Sequence, residues 1–283
     1  MIDTQSLPQD VLDMRRMIHE AADYIRSKIS FQPEIAVILG SGLGALADEV
    51  EEAVILPYGE IPNFPVSTAP GHAGRLVLGT LGGKRVMLMQ GRFHYYEGYP
   101  MQKIAMPIRI MKALGIETLV VTCATGGLNR NFKAGDIMLI NDHINLTGAS
   151  PLIGPNDPDM GPRFPVMFDA YKAELRAVAH KVALREGIRL QEGVYGGISG
   201  PAFCTPAELR HMMTIGCDTV GMSTVPEVIA AVHCGMKVLG FGVVSDMAIP
   251  DSGHHATGEE VLEIANAVGP VFRHLVKSTI AEL

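Results

Sequence analysis

The chain has 283 residues, 47% apolar and 19% charged, which allows a sizeable core and excludes a disordered segment. Acids outnumber bases 30 to 23, a formal net charge of −7, so no broad basic footprint for nucleic acid is expected and any anion site must be built locally. Glycine is abundant at 31 and tryptophan absent, which predicts close backbone approaches and few aromatic stacking platforms. Met1 to Asp13 carries three acids and lacks the cationic-then-apolar pattern of a signal peptide. Glu34 to Leu39 (EIAVIL) predicts a strand that ends in glycines, and Lys84 to Met89 (KRVMLM) a second. Met101 to Leu114 predicts a helix stopped by Gly115. Strands follow at Glu117 to Thr122 and Asp136 to Ile140, and a helix at Asp169 to Glu186. Glu192 to Ile198 is a further strand, and Thr205-Pro206-Ala207-Glu208 is a capping box that opens a helix. Pro226 to Cys234 predicts a helix, Lys237 to Val244 a strand and Gly258 to the C-terminus a last helix.

Helices alternating with buried-type strands indicate an α/β fold with a parallel or mixed sheet. No linker composition divides residues 1–283, so one domain is expected. The irregular stretch Asn145 to Pro165, with five prolines, is longer than an ordinary connection and is expected to be functional or at an interface. Cys123, Cys204, Cys217 and Cys234 form no C-x-x-C pair and read as reduced thiols of a cytoplasmic protein, not as a zinc site. No run reaches the roughly 20 apolar residues of a membrane span.

Three segments could carry chemistry. Gly40-Ser41-Gly42-Leu43-Gly44 follows a strand, where glycines let backbone N–H groups approach an anion and Ser41 adds a hydroxyl. It also fits the dinucleotide fingerprint at Gly40, Gly42 and Ala45, but the acid that should close the second strand is missing, since Lys84 to Met89 runs into Gln90-Gly91-Arg92. In Gln90 to Tyr99 (QGRFHYYEGY), Arg92 suits a two-pronged grip on phosphate, and His94 and Tyr96 share its face if the segment is extended. In Ser223-Thr224-Val225-Pro226-Glu227, Thr224 and Glu227 form a capping-box pattern at a helix start that would suit phosphate. Alone, each segment also fits a tight turn, a surface arginine or a mere cap. Together, at strand ends, they point to an oxyanion pocket beside an aromatic and methionine-lined cleft, without naming the reaction.

With these residues in hand, the chain resembles the purine nucleoside phosphorylases, in their low-molecular-mass trimeric branch. The matching stretches are ILGSGLG (38–44), PGHAGRLVLG (70–79), QGRFHYYEGY (90–99), ATGGLN (124–129), GPND and RFPVMFDAY (154–171), GPAFCTPAELR (200–210) and VGMSTVPEVIAAVHCGMKVLG (220–240). The resemblance implies one α/β domain around a central mixed, barrel-like sheet flanked by helices, a homotrimer, and reversible phosphorolysis of purine nucleosides to base and pentose 1-phosphate. It implies inorganic phosphate as co-substrate, no metal or organic cofactor, and neither nucleic acid nor membrane as partner. By position it makes Ser41, Arg92, His94, Ala124 and Ser223 phosphate binders. His72, Tyr96, Met222 and Gly258 fall to the ribose, and Tyr195, Phe203, Cys204 and Asp246 to the base. His94 and Asp246 are the catalytic candidates, and Met160 is the side chain lent to a neighbouring subunit.

Three positions depart from the family pattern. Cys204 stands where a glutamate is usual, Asp246 where an asparagine is, and Gly258 where a histidine meets the ribose 5′-hydroxyl. Asp246 as a carboxylate would accept from a 6-amino group, or if protonated donate to N7. A small residue at 204 removes an acceptor that adenine does not need. These changes raise the alternative of a 6-aminopurine-preferring enzyme such as an S-methyl-5′-thioadenosine phosphorylase, with His254 or His255 as candidate replacements for the missing histidine. A nucleotide-cofactor (NAD) enzyme and a catalytically weak purine-binding homologue are the other readings.

Overall fold

The computed structural model describes residues 7–67, 73–253 and 256–283. Its strands are β1 (Ile35–Leu39), β2 (Glu51–Pro57), β3 (Arg75–Leu81), β4 (Lys84–Gln90), β5 (Thr118–Gly127), β6 (Ile137–Asn145), β7 (Leu190–Gly197), β8 (Thr219–Gly221) and β9 (Lys237–Met247). Its helices are α1 (Gln9–Lys28), α2 (Met101–Ile104), α3 (Met106–Ala113), α4 (Ala173–Arg185), α5 (Pro206–Thr214), α6 (Val225–His233) and α7 (Gly258–Ile280). The strands form one mixed sheet in the order β2-β3-β4-β1-β5-β8-β7-β6-β9, and β9 pairs back on β5. β5, β8, β7, β6 and β9 therefore close on themselves, and β2–β4 with β1 extend from the closed part as an open wing. This is the barrel-like sheet that the resemblance implied.

Why the sheet has two helical coats can be read from β1. All five of its residues are buried. Ile35, Val37 and Leu39 pack into one core with Phe272 and Leu275 of α7 and Leu175 of α4. Ala36 and Ile38 pack into the other with Ile18 of α1, Ile108 of α3 and Val228 of α6. Side chains alternate across a strand, so a strand covered on both faces reads as an unbroken apolar run. β1, β4, β5 and β9 are mutually parallel, which brings their C-terminal ends to one edge of the molecule, the place where open α/β sheets put ligands.

Several elements differ from their sequence expectation. The helix over 101–114 breaks at Ala105 because Pro107, which has no N–H to give, occupies the first turn of α3. α1, β2, β3 and β8 were not anticipated. β3 carries Gly79, where an added Cβ would lie 2.4 Å from the Glu51 carbonyl, and β8 has only three residues. The strand expected to stop at Thr122 runs on to Gly127, since β9 stays paired with it along its whole length. Gly126 and Gly127 are thus strand residues. The Thr205 capping box is present, with Thr205 Oγ1 accepting from the Glu208 N–H and the Glu208 carboxylate from the Thr205 N–H.

Candidate active site

A cavity of about 410 Å³ opens at the strand ends. The segments singled out in the sequence meet there. Ser41 comes from the turn after β1, and Arg92 and His94 from the loop after β4. Ala124 is on β5, Met222 and Ser223 lead into α6, and Asp246 is on β9. Tyr96, Phe203 and Cys204 complete the wall on one side.

The Ser41 turn depends on a close approach. Gly42 has φ +82°, and a Cβ there would lie 2.4 Å from the Ala265 carbonyl of α7. The chain then enters a 3₁₀ turn over Gly44–Glu49 instead of an α-helix. A dinucleotide site needs a helix N-terminus at this point, so the fingerprint match at Gly40, Gly42 and Ala45 lacks its structural context.

Arg92 is 2% exposed. Its Nε and Nη2 donate to Glu227 Oε1 and Oε2 at 3.0 and 2.7 Å, while Nη1 donates to the Thr122 carbonyl and lies 3.3 Å from Ser223 Oγ. Burial opposes the charge, but Glu227 outweighs it and holds the guanidinium pKa above its ordinary value. The two-pronged grip foreseen for phosphate is therefore made on Glu227, and Nη1 is the edge set beside the Ser223 hydroxyl.

This also changes the capping-box reading of Thr224 and Glu227. Thr224 makes no side-chain cap, and its φ of 67° and ψ of −55° form a γ-turn of the rare hand, closed by a 2.7 Å bond from the Val225 N–H to the Ser223 carbonyl. Positive φ at a buried β-branched residue costs on the order of 1–3 kcal/mol and is found where function fixes the backbone. Glu227 is free to serve Arg92 because it does not reach back to the cap.

His94 and Tyr96 do not continue an extended strand. Gly91, at φ 114°, ends the strand direction, and residues Tyr95–Glu97 form a 3₁₀ turn. The two rings are nonetheless brought together, stacked at 4.7 Å and 14°. Glu97 Oε1 accepts from the His94 N–H at 2.7 Å and lies 3.1 Å from His94 Nδ1. A carboxylate against Nδ1 places a proton on that nitrogen and fixes the ring's orientation.

Asp246 reaches the cavity through a register shift. The β5–β9 pairing passes from Thr125↔Val244 to Gly126↔Asp246, a bulge at Ser245 that re-aims the next side chain. Ser245 Oγ donates to Asp246 Oδ1 at 3.2 Å. A Cβ on Gly126 would lie 3.5 Å from Asp246 Oδ1 and 2.9 Å from Ala248 Cβ, so glycine makes room for the carboxyl. Around it the wall is apolar, with Ile198, Leu209, Val220, Ala248 and Val261.

Tyr195 does not line the cavity. It has no exposed surface and its hydroxyl accepts the Ser223 N–H at 3.2 Å, so it supports Ser223 from behind the cavity wall. Gly258 does not line the cavity either. It begins α7 with open space where a Cβ would be, and Ala256 and Val261 supply that wall. Met160 is half-buried within the chain and lines a second cavity of about 250 Å³ with Met14, Ile18 and His233. His72, like His254 and His255, lies outside the described residues. Sequence reasoning missed Glu227, Glu97 and Tyr195 as supports: the partners of Glu227 and Tyr195 come from other elements, whereas Glu97 bonds His94 only three residues away.

The four cysteines are free, and Cys204 alone of them is not fully buried. Burial pushes the Cys123 thiol up to about 11 and raises that of Cys204 as well, so neither is poised as a thiolate nucleophile. Among the described residues no helix is long and apolar enough to cross a membrane, and no cluster of metal-ligating side chains occurs.

Known proteins share this sequence and fold. Residues 34–281 match the phosphorylase superfamily. Purine nucleoside phosphorylase 1 of Bacillus subtilis is 52% identical over 269 residues, 95% of this chain and 99% of that one. The Schistosoma mansoni purine nucleoside phosphorylase in complex with inosine superposes with a TM-score of 0.91 at 41% identity, over 95% of this chain and 96% of that one. A purine nucleoside phosphorylase in complex with ribose-1-phosphate superposes at 0.85 with 42% identity, over 94% and 96%. None of these favours the S-methyl-5′-thioadenosine or NAD alternatives. With its closed mixed sheet, its strand-end cavity and this similarity over nearly its whole length, the chain belongs to the phosphorylase superfamily, among the purine nucleoside phosphorylases.

Proposed function

We propose that this enzyme carries out the reversible phosphorolysis of purine (2′-deoxy)ribonucleosides in the cavity at the strand ends. The observation that carries the reading is the polarity of that cavity. Hydroxyls and a cation gather at one end (Ser41, Ser223, Arg92, His94, with the Ala124 backbone), and an apolar wall with the Asp246 carboxyl forms the other. As the glycosidic bond stretches, the sugar gains oxocarbenium character. Phosphate held below C1′ stabilises that charge and then bonds to C1′, while the bond electrons leave with the purine. Donors fixed in place before the reaction lower the barrier more than donors that must reorganise. The His94 ring, oriented by Glu97, faces the phosphate end, and Tyr96 stacked on it and Met222 wall the ribose. Asp246 meets the polar edge of the purine, with Phe203 and Cys204 beside it.

In this reading inorganic phosphate is the co-substrate and no metal or organic cofactor takes part. The enzyme works in the cytoplasm as a homotrimer, in which Met160 completes a neighbour's site. Exposed Phe164, Val166 and Phe168, at 84%, 77% and 91%, form an apolar run just beyond Met160 that supports association. The test is base release from inosine, guanosine, adenosine and S-methyl-5′-thioadenosine, with and without phosphate. Release that requires phosphate supports the proposal, and hydrolysis without phosphate, or no release from any of the four, refutes it.

A further inference from the structure

We infer that Glu227 sets the strength of phosphate binding by neutralising Arg92, an inference that rests on the phosphorolysis proposed above. The phosphate end of the cavity is built around one arginine, and that arginine is bound from behind. Glu227, 4% exposed on the first turn of α6, takes both Nε–H and Nη2–H of the buried guanidinium at 3.0 and 2.7 Å. Of the ionisable groups packed around the pair, Tyr58, Cys123 and Tyr195 carry no charge at neutral pH. Burial first of all raises their pKa values. The pair therefore presents to phosphate the dipole of an ion pair and the Nη1 edge beside Ser223, not a full positive charge.

Two consequences follow from electrostatics at low dielectric. Glu227 repels an incoming phosphate through the guanidinium, so the site holds phosphate more weakly than an unpaired arginine would. It also keeps Nη1 against the Thr122 carbonyl and Ser223, which aims the donor. The carboxylate thus combines two opposing tasks, and substitutions can separate them. A reversible enzyme that must release ribose 1-phosphate in one direction and phosphate in the other benefits from a site that is aimed but not strongly charged. Glu227 is in this sense a positioning residue, since it acts through Arg92.

The experiment is calorimetric titration of inorganic phosphate into the wild-type enzyme, Glu227→Gln and Glu227→Asp, with steady-state kinetics on inosine. Glu227→Gln removes the charge and keeps the length and one acceptor. It is expected to tighten phosphate binding roughly tenfold and to lower the phosphate KM and kcat together, as release becomes slow. Glu227→Asp keeps the charge but withdraws the carboxylate, and is expected to weaken binding. A purely structural role would weaken both. Should Glu227→Gln not fold, Arg92→Met is compared with the double variant Arg92→Met/Glu227→Gln. The single change leaves a buried unpaired carboxylate facing phosphate, and the double change restores at least about tenfold of the lost affinity. Phosphate binding by Glu227→Gln that is equal to or weaker than wild type, or a double variant that binds as poorly as Arg92→Met, overturns the inference. A wild-type enzyme that neither binds phosphate nor needs it overturns the proposed function instead.

Discussion

The backbone N–H of Ser223 donates a 3.2 Å hydrogen bond to the hydroxyl of Tyr195, a side chain with no exposed surface. The Ser223 carbonyl is held in turn by the Val225 N–H at 2.7 Å. Ser223 precedes the strained turn at Thr224, and its own hydroxyl is spent on Arg92 Nη1 and Thr224 Oγ1, at 3.3 and 3.2 Å. Tyr195→Phe removes the acceptor without removing the ring. An unmade hydrogen bond of this kind costs about 1 kcal/mol or somewhat more. The phosphate KM is expected to rise about five- to tenfold, with the adenosine-to-inosine ratio of kcat/KM unchanged. Kinetics with phosphate varied at saturating nucleoside measure the first quantity, and a two-substrate competition the second. A shift in the ratio would mean that Tyr195 senses the base after all.

Asp246 is expected to behave in the opposite way. The Asp246→Asn change replaces an acceptor-only carboxylate by a group that can also donate, so the ratio of kcat/KM for inosine over adenosine is expected to rise about tenfold or more. The phosphate KM is expected to stay within about twofold, since residue 246 lies on the apolar-walled end of the cavity. Competition between the two nucleosides for one enzyme sample reads this directly, and an unchanged ratio would remove Asp246 from base discrimination.

Much of the architecture was legible before any coordinates. Ile35–Leu39 and the run from Thr118 are buried on both faces, so their apolar letters are continuous, and the Thr205 box is decided by four neighbouring residues. Ser41, Arg92, His94 and Ser223 lie in segments whose letters point to an anion pocket, the resemblance adds Ala124 and Asp246, and all six line the cavity. At Thr224, Glu227 and Tyr195 the deciding partner was remote. Thr224 and Glu227 have the letters of a capping box, but Arg92, 135 residues away, takes the carboxylate. Tyr195 reads as a pocket residue until its backbone partner Ser223 is known. The α1 helix, by contrast, has a plain amphipathic spacing at Val11, Ile18, Ala21, Ala22 and Ile25 that is local and legible in the sequence.

Gly42→Ala tests the packing that shapes the Ser41 turn. The new methyl would meet the Ala265 carbonyl at 2.4 Å with φ at +82°, and neither backbone can yield cheaply. A loss of at least about 2 kcal/mol is expected from the conformation and the contact together. Urea unfolding monitored by circular dichroism gives the number, and Gly44→Ala, whose Cβ meets only Gln90 Nε2 at 3.9 Å, is the control that is expected to cost less.

Acid stability has a local contributor in the Pro-rich stretch. Arg15 of α1 donates to Asp157 through both Nε and Nη2. Burial works to raise the Asp157 pKa, but this hydrogen bonding outweighs it and leaves the carboxyl below its ordinary value. A carboxylate with a lowered folded-state pKa stabilises the fold above the unfolded value, about 3.9, and the benefit fades as pH falls through the folded one. Asp157→Asn is therefore expected to be less stable than wild type at pH 7, with the gap closing below about pH 4. Thermal melting at a series of pH values follows the gap, and a constant difference would show that the pair's charge is immaterial.

The pairing of β5 with β9 has a consequence for how such an enzyme can change. Ala124 and Asp246 sit on adjacent strands whose hydrogen bonds run from Thr118↔Lys237 to Gly127↔Met247. The interval between the two ends of the cavity is therefore a property of the ladder, set by peptide geometry and indifferent to which side chains occupy either end. The side chain at 246 can be rewritten by mutation without moving the strand that carries Ala124. On the proposed reaction, a lineage can explore new bases at this position while its bond-making chemistry stays calibrated, and a library confined to position 246 should yield altered selectivity far more often than dead protein.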